Sequence, residues 1–114
     1  MSNAGVLILA GTDAGSPLVF TGFSLADELE MLVKEGRLTP AQSLRTATTN
    51  VATWMRARDD FGTVEPGRRA DLVVLAANPL TDIANVRTIV AVVRKGHLLD
   101  RVALDSLLAT ARRK

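Results

Sequence analysis

The chain of 114 residues is long enough for one small domain, with a net charge of +2 and a calculated pI near 9.7. It contains no cysteine, which excludes disulfides and favours a cytoplasmic location. Its apolar runs are far shorter than the roughly 20 residues that cross a bilayer. We therefore expect no membrane partner. Basic residues are scattered and not interleaved with aromatic ones, so we expect no nucleic-acid partner either.

The first half of the chain predicts one strand and two helices. Residues Val6–Ala10 form an uninterrupted apolar run, as in a strand that is covered on both faces. After a loop rich in Gly, Ser and Thr, a helix is expected to begin at Ser24 and to end near Gly36. A Thr-Pro-Ala-Gln capping box at residues 39–42 predicts a second helix, which should continue to about Arg58.

The second half of the chain predicts an antiparallel sheet and a last helix. Short strands are expected at residues 61–64, 70–75, 86–94 and 97–99. The Glu65-Pro66-Gly67 turn should join the first two of these strands, and Lys95-Gly96 predicts another tight turn. The final helix is expected over Ala103–Arg112, where its basic end complements the helix dipole.

Asp13 is the candidate functional residue, because it follows directly after the first predicted strand. Catalytic side chains of α/β barrels sit at the carboxyl ends of the strands. On the residue types alone, a helix or turn cap in a Gly-rich loop is the favoured interpretation of Asp13. A zinc site needs three or four protein ligands, and the sequence offers only one histidine, His97.

Four groups of motifs carry a family resemblance. They are GTDAG at 11–15, LTPAQSL at 38–44 with ATTNVA at 47–52, GTVEPGRRADLVVL at 62–75, and NPL at 78–80 with VVRKG at 92–96. With them the chain resembles the carboxyl-terminal portion of the metal-dependent amidohydrolases, in particular the imidazolonepropionase-like and Xaa-Pro dipeptidase-like enzymes. The resemblance covers nearly the whole chain.

The resemblance implies an α/β fold in three parts. Residues 1–60 would hold the last strand, strand eight, and the following helices of a (β/α)₈ barrel. Residues 61–100 would form the C-terminal part of a small β-sandwich, and residues 101–114 a C-terminal helix.

The resemblance also implies a chemistry for Asp13, which matches the aspartate at the end of the eighth strand. In the family this residue binds a divalent metal, here expected to be zinc, and takes a proton from the metal-activated water. The reaction would hydrolyse C–N bonds of small molecules, such as amides, cyclic amides or dipeptides. The family's metal-binding histidines and lysine have no counterpart here, so the isolated chain is expected to be catalytically incomplete and to bind no catalytic metal.

Other polar positions are expected to be structural. His97 falls in the sheet region and is interpreted as a surface or edge-strand residue, not as a metal ligand. Asp71 should make a structural hydrogen bond, and Glu28 and Glu30 fit charges on a helix surface better than a catalytic pair. Ala26 stands where the imidazolonepropionase-like and Xaa-Pro dipeptidase-like enzymes often carry a histidine. A contact with substrate is therefore not expected from this position.

Two hypotheses of different classes follow. The chain is interpreted as a C-terminal fragment or a truncated relative of an amidohydrolase. The alternative is a stand-alone, non-enzymatic association module derived from the same fold. In either case the apolar run Val6–Ala10 would lack its neighbouring strands, so we expect a homo-oligomer, for example a dimer that exchanges this strand or the helices.

Overall fold

The computed structural model describes residues 6–11 and 24–112. Within these residues three helices precede a three-stranded sheet, and a fourth helix follows it. The elements are α1 (Ser24–Lys34), α2 (Pro40–Thr46), α3 (Thr49–Trp54), β1 (Leu72–Leu75), a 3₁₀ helix (Ile83–Arg87), β2 (Ile89–Arg94), β3 (His97–Asp100) and α4 (Arg101–Arg112). The α/β character expected from the sequence is confirmed.

The capping box predicted at the start of α2 is confirmed. The Thr39 side chain accepts a hydrogen bond from the Gln42 amide at 3.2 Å, and the Gln42 side chain accepts one from the Thr39 amide at 2.9 Å. Pro40 occupies the first helical position, where its missing N–H leaves no bond unmade. Local side-chain chemistry therefore determines where this helix begins.

The prediction of one helix as far as Arg58 is wrong, because the helix stops after Thr46 and a new one begins at Thr49. The backbone at Thr48 has φ −130° and ψ −92°, which lies outside the helical region. Its hydroxyl donates to the Leu44 carbonyl at 2.8 Å. β-branched residues with a hydroxyl favour such local hydrogen bonds over a continuous helix, and the Ala-Thr-Thr sequence supplies two of them in a row.

The antiparallel sheet has β2 at its centre, with β1 and β3 on either side. Across the sheet, Val73 pairs with Val92, which in turn pairs with Leu99. The β2–β3 turn has positive φ at both Lys95 and Gly96, 51° and 81°. This is the backbone of a tight hairpin turn, so the predicted turn is confirmed.

The strand predicted at residues 61–64 is wrong. Gly62 has φ +107°, which breaks an extended strand, and its backbone lies against α3. The Glu65-Pro66-Gly67 turn is present, with the Arg68 amide donating to the Glu65 carbonyl at 3.2 Å, but it does not join two strands. Two of the other strands begin later than expected, at Leu72 and at Ile89, whereas the third begins at His97 as expected.

The 3₁₀ helix joins the helical half of the chain to the sheet. Ile83 is buried, and the Arg87 guanidinium donates to Glu30 of α1 at 2.7 Å and also pairs with Asp27. Hydrogen bonds to Glu30 and then to Asp27 raise the pKa of Arg87 further above its ordinary value. The boundary expected at residue 60, between the barrel segment and the sandwich segment, stays a prediction. The contacts of Arg87 with α1 join residues on the two sides of that boundary.

The buried apolar side chains are those of Leu29 on α1, Leu38 before α2, Ala52 on α3 and Ile83 in the 3₁₀ helix. Many larger apolar side chains lie on the surface of the described part of the chain, Trp54 among them with 67% of its side chain exposed. None of the helices in residues 6–11 and 24–112 is long and apolar enough to span a membrane.

Candidate functional site

The segment that leads to Asp13 runs along the helical layer. Residues 6–11 form no hydrogen-bonded strand with any other described residue, so the strand predicted for Val6–Ala10 is corrected. The Ala10 amide donates to the Thr46 carbonyl at 3.0 Å, and the Asn50 side chain donates to the Ile8 carbonyl at 2.9 Å. Two backbone groups that a neighbouring strand could otherwise bind, the Ile8 carbonyl and the Ala10 amide, are therefore engaged by α3 and α2.

A third hydrogen bond holds the end of this segment. The Gly11 amide donates to the Glu28 carboxylate at 2.9 Å, and Glu28 lies on α1. Gly11 is the last described residue before Asp13, two positions further along the sequence. All three helices of the first half thus contribute one group each to holding residues 8–11.

Two fully buried hydroxyls support these anchors. Ser43 is 0% exposed and donates to the Leu29 carbonyl at 2.8 Å, which ties α2 to α1. Thr46 is 1% exposed and donates to the Ser43 carbonyl at 2.6 Å. The same Thr46 accepts the Ala10 amide through its own carbonyl. Both hydroxyls are satisfied, as buried polar groups usually are; the Ser43 bond joins two helices, and the Thr46 bond lies within α2.

Sequence reasoning missed Glu28, Ser43, Thr46 and Asn50 as supports of the segment. A signal for three of them was present, since Ser43, Thr46 and Asn50 recur at helical spacing. Glu28 carries no such signal. Glu28 and Glu30 do not form a carboxylate pair, because Glu28 binds Gly11 and Glu30 binds Arg87.

The residue predicted to be catalytic, Asp13, lies outside the described residues. Within residues 6–11 and 24–112 no three side chains of His, Cys, Asp or Glu come together in a group that could hold a metal ion. Asp13 by itself provides one carboxylate, whereas zinc sites use three or four protein ligands.

The other singled-out residues behave as expected from the sequence. His97 is exposed on β3, one of the two edge strands of the described sheet. The Asp71 side chain accepts a hydrogen bond from the Lys95 amide at 2.8 Å and so stabilises the hairpin turn, which confirms its structural role. Ala26 lies half-buried on α1.

A cleft of about 500 Å³ lies between α3 and residues 58–68. Its charged lining is balanced, with Arg58 and Arg68 against Asp59 and Glu65. Arg68 donates to the Asp59 carbonyl at 2.9 Å and forms an ion pair with Glu65 at 3.1 Å. These contacts give Arg68 the role of fixing the loop, and the cleft carries no net charge that would select an ionic ligand.

The model of the family described as "Amidohydrolase family" matches residues 1–99 of the chain. The chain belongs to the amidohydrolase family. The imidazolonepropionase of Cutibacterium acnes is 44% identical to it over 75 residues, which are 66% of this chain and 18% of that enzyme. The ochratoxinase of Aspergillus niger is 35% identical over 81 residues, 70% of this chain and 16% of that enzyme.

Solved structures of amidohydrolases share the fold of the chain. A prolidase-like protein of Bifidobacterium longum superposes with a TM-score of 0.80 at 34% identity, over 97% of this chain and 28% of that one. A Xaa-Pro dipeptidase with bound methionine gives a TM-score of 0.75 at 30% identity, over 87% of this chain and 23% of that one. The chain thus spans less than a third of each of these relatives.

The resemblance expected from the motifs, to imidazolonepropionase-like and Xaa-Pro dipeptidase-like enzymes, is confirmed by these matches. Amidohydrolases are in general metal-dependent hydrolases, and their fold is the (β/α)₈ barrel. The chain contributes an α/β portion of that architecture.

Proposed function

We propose that the chain forms part of the active site of a metal-dependent amidohydrolase that hydrolyses C–N bonds in small molecules. The match of the family model to residues 1–99, which includes Asp13, carries this proposal. In it, residues 6–11 and helices α1 to α3 take the place of the last strand and following helices of the barrel. The sheet from β1 to β3 takes the place of the C-terminal part of the β-sandwich.

Asp13 is the residue of this chain that we assign to the chemistry. A divalent metal bound in part by Asp13, zinc in our proposal, would lower the pKa of a water molecule toward neutrality and would polarise the substrate carbonyl. The Asp13 carboxylate contributes one ligand and accepts the proton of the attacking water. The water oxygen becomes bonded to the carbonyl carbon, the C–N bond breaks, and the proton passes to the leaving nitrogen. The remaining ligands lie outside this chain.

The proposed substrates are amides, cyclic amides or dipeptides of small size. This range is supported by the names of the relatives, which include an imidazolonepropionase, an ochratoxinase and a Xaa-Pro dipeptidase. We also propose a cytoplasmic location, supported by the absence of cysteine from the sequence. The stand-alone association module is not favoured, because these relatives are enzymes by name.

The test of the proposed function is Asp13→Asn in the active polypeptide that carries this chain, assayed on acyl-prolines, cyclic amides and N-acyl aromatic amines. We expect kcat to fall by about 10²- to 10⁴-fold, since the amide keeps the size of the side chain but cannot accept the proton. The matched control is Asp59→Asn, on an exposed loop residue, which should retain activity. An Asp13→Asn variant with the activity of the control would contradict the proposal.

We further propose that the 114-residue chain forms a homo-oligomer, with a dimer as the simplest case. Val6 and Leu7 are 53% and 42% exposed, and Trp54 is 67% exposed. Covering a large apolar side chain of this kind contributes about 1.5–3 kcal/mol. Sedimentation velocity at micromolar concentration is expected to show a dimer or a larger species. A monomer over the whole concentration range would contradict this proposal.

A further inference from the structure

We propose that the break between α2 and α3 is a binding site for the main chain of an extended peptide segment, and that residues 8–10 are its ligand in this chain. The site has one acceptor, the Thr46 carbonyl, which takes the Ala10 amide at 3.0 Å. It has one donor, the Asn50 side-chain amide, which reaches the Ile8 carbonyl at 2.9 Å. Both bonds end on backbone groups of the segment, so the site recognises the path of the chain and not its side chains. Its existence does not depend on the proposed hydrolytic chemistry.

The break in the helix makes the acceptor available. In an unbroken helix each carbonyl accepts the amide four residues later, so the Thr46 carbonyl would accept the Asn50 backbone amide. Instead α2 ends with shorter bonds, such as the one from the Thr48 amide to the Arg45 carbonyl at 3.2 Å. The Thr46 carbonyl is thereby left for the Ala10 amide.

The two bonds match the geometry of an extended chain. Backbone groups of residues two positions apart, such as the Ile8 carbonyl and the Ala10 amide, point to the same side of a strand. An acceptor and a donor on that side are what a neighbouring strand would offer to a bound peptide. Residues 6–11 pair with no strand in the described part of the chain. The broken helix therefore takes the place of a strand edge.

Burial strengthens the site. Thr46 is 1% exposed, and its hydroxyl is satisfied by the Ser43 carbonyl at 2.6 Å. Ile8, Ala10 and Asn50 are half-buried. A hydrogen bond that is partly shielded from water is electrostatically stronger than one in water. Two such bonds therefore suffice to hold a segment whose first residues lie on the surface.

The Thr46 carbonyl cannot serve the bound segment and a continuous helix at once. In a continuous helix it would lie along the axis and face the Asn50 backbone amide, whereas at the break it faces the Ala10 amide. Thr48 favours the break, because its backbone lies outside the helical region and its hydroxyl donates to the Leu44 carbonyl at 2.8 Å. Binding of the segment and interruption of the helix are therefore coupled.

The first experiment removes the donor. Amide exchange is followed by NMR in the labelled 114-residue chain, as a ratio to the exchange of the β2 amides, so that a general loss of stability cancels. Asn50→Asp keeps the size of the side chain but cannot donate, and should speed exchange of the Ala10 amide about two- to tenfold. The matched control is Asn85→Asp, because the Asn85 side chain also donates to a backbone carbonyl, that of Asn78, at 2.9 Å. It should leave Ala10 exchange unchanged.

The second experiment removes the backbone amide of the segment. Ala10→Pro lacks the N–H and should speed exchange of the Asn50 side-chain amide protons about two- to tenfold, because the two contacts hold one segment. Ala10→Ser keeps the N–H and should leave these protons protected.

The third experiment tests the break itself. Thr48→Ala is expected to speed Ala10 exchange about two- to threefold, since alanine has the higher helix propensity and favours a continuous helix. The Asn50 backbone amide should exchange more slowly in the same variant. Thr53→Ala is the control, because the Thr53 hydroxyl also donates to the carbonyl four residues earlier, at 2.9 Å, but lies away from the break.

The site is supported if Ala10 exchange rises in Asn50→Asp and Thr48→Ala and in neither control. Equal Ala10 exchange in Asn50→Asp and Asn85→Asp would overturn the two-point site, as would equal Asn50 side-chain exchange in the proline and serine variants. Equal Ala10 exchange in Thr48→Ala and Thr53→Ala would show that the break does not create the acceptor, and the proposal would then be wrong.

Discussion

Gly62→Ala is expected to lower the free energy of unfolding by about 3 kcal/mol, from backbone strain and overpacking together. Gly62 has φ +107°, a conformation that residues with a side chain rarely adopt. A Cβ added there would lie 3.0 Å from the Cβ of Ala52 and 3.3 Å from the Thr48 carbonyl oxygen. Ala52 is buried with 1% exposure, so it cannot move away without disturbing α3.

Gly67→Ala is the matched control, because it separates the two causes. Gly67 also has positive φ, 87°, but no atom lies within 4 Å of the position that its Cβ would occupy. Strain alone should cost about 1 kcal/mol there. Urea unfolding of both variants, followed by far-UV circular dichroism, gives the comparison. Equal losses in the two variants would show that residues 61–64 do not pack against α3 as described.

The sequence predicted elements best where a few adjacent side chains determine the backbone. The capping box of Thr39 and Gln42 and the Lys95-Gly96 turn are both of this kind, and both are confirmed. The role of Asp71 belongs with them, because its partner Lys95 belongs to a hairpin turn that the sequence already indicated.

Prediction failed where distant packing decides the conformation. The apolar run at residues 6–10 has the composition of a buried strand, yet a strand forms only beside a neighbour, and helices bind its backbone in the described part of the chain. Residues 61–64 include the aromatic and β-branched residue types that favour a strand, but the contact of Gly62 with α3 imposes another path. The helix break at Thr48 was missed because apolar periodicity continues across it.

The residues of the candidate site likewise include one that the sequence predicted and others that only the structure revealed. Asp13 was found from its place after an apolar run and from the family motif around it. The residues that hold the preceding segment, Glu28 on α1 and Asn50 on α3, lie 17 and 42 positions from their partners. Such pairings arise from the arrangement of helices, which one sequence does not reveal. Family resemblance could indicate the chemistry, but the physical support of the site needed the structure.

Ile83→Ala is expected to lower the free energy of unfolding by about 2–4 kcal/mol, since removing a large buried side chain leaves a cavity. Ile83 is 4% exposed and lies in the 3₁₀ helix that packs against α1. That helix is fixed at its start by Asp82, whose side chain accepts the Ala84 amide at 3.0 Å, and at its end by the pairs of Arg87 with α1. The surrounding backbone is therefore held from both ends and cannot close over the cavity.

The same variant tests whether the helices and the sheet unfold together. Trp54, the only tryptophan, reports on α3 by fluorescence, while far-UV circular dichroism reports on all elements. If residues 24–54 and the sheet form one cooperative unit, Ile83→Ala should shift both transitions equally.

Leu80→Ala is the control, because Leu80 is 57% exposed and its substitution should lower the free energy of unfolding by less than about 1 kcal/mol. All variants are compared at one protein concentration, since self-association makes unfolding concentration-dependent. A fluorescence transition that stays in place while the dichroism transition moves would show that the contacts of Ile83 and Arg87 with α1 do not couple the two halves.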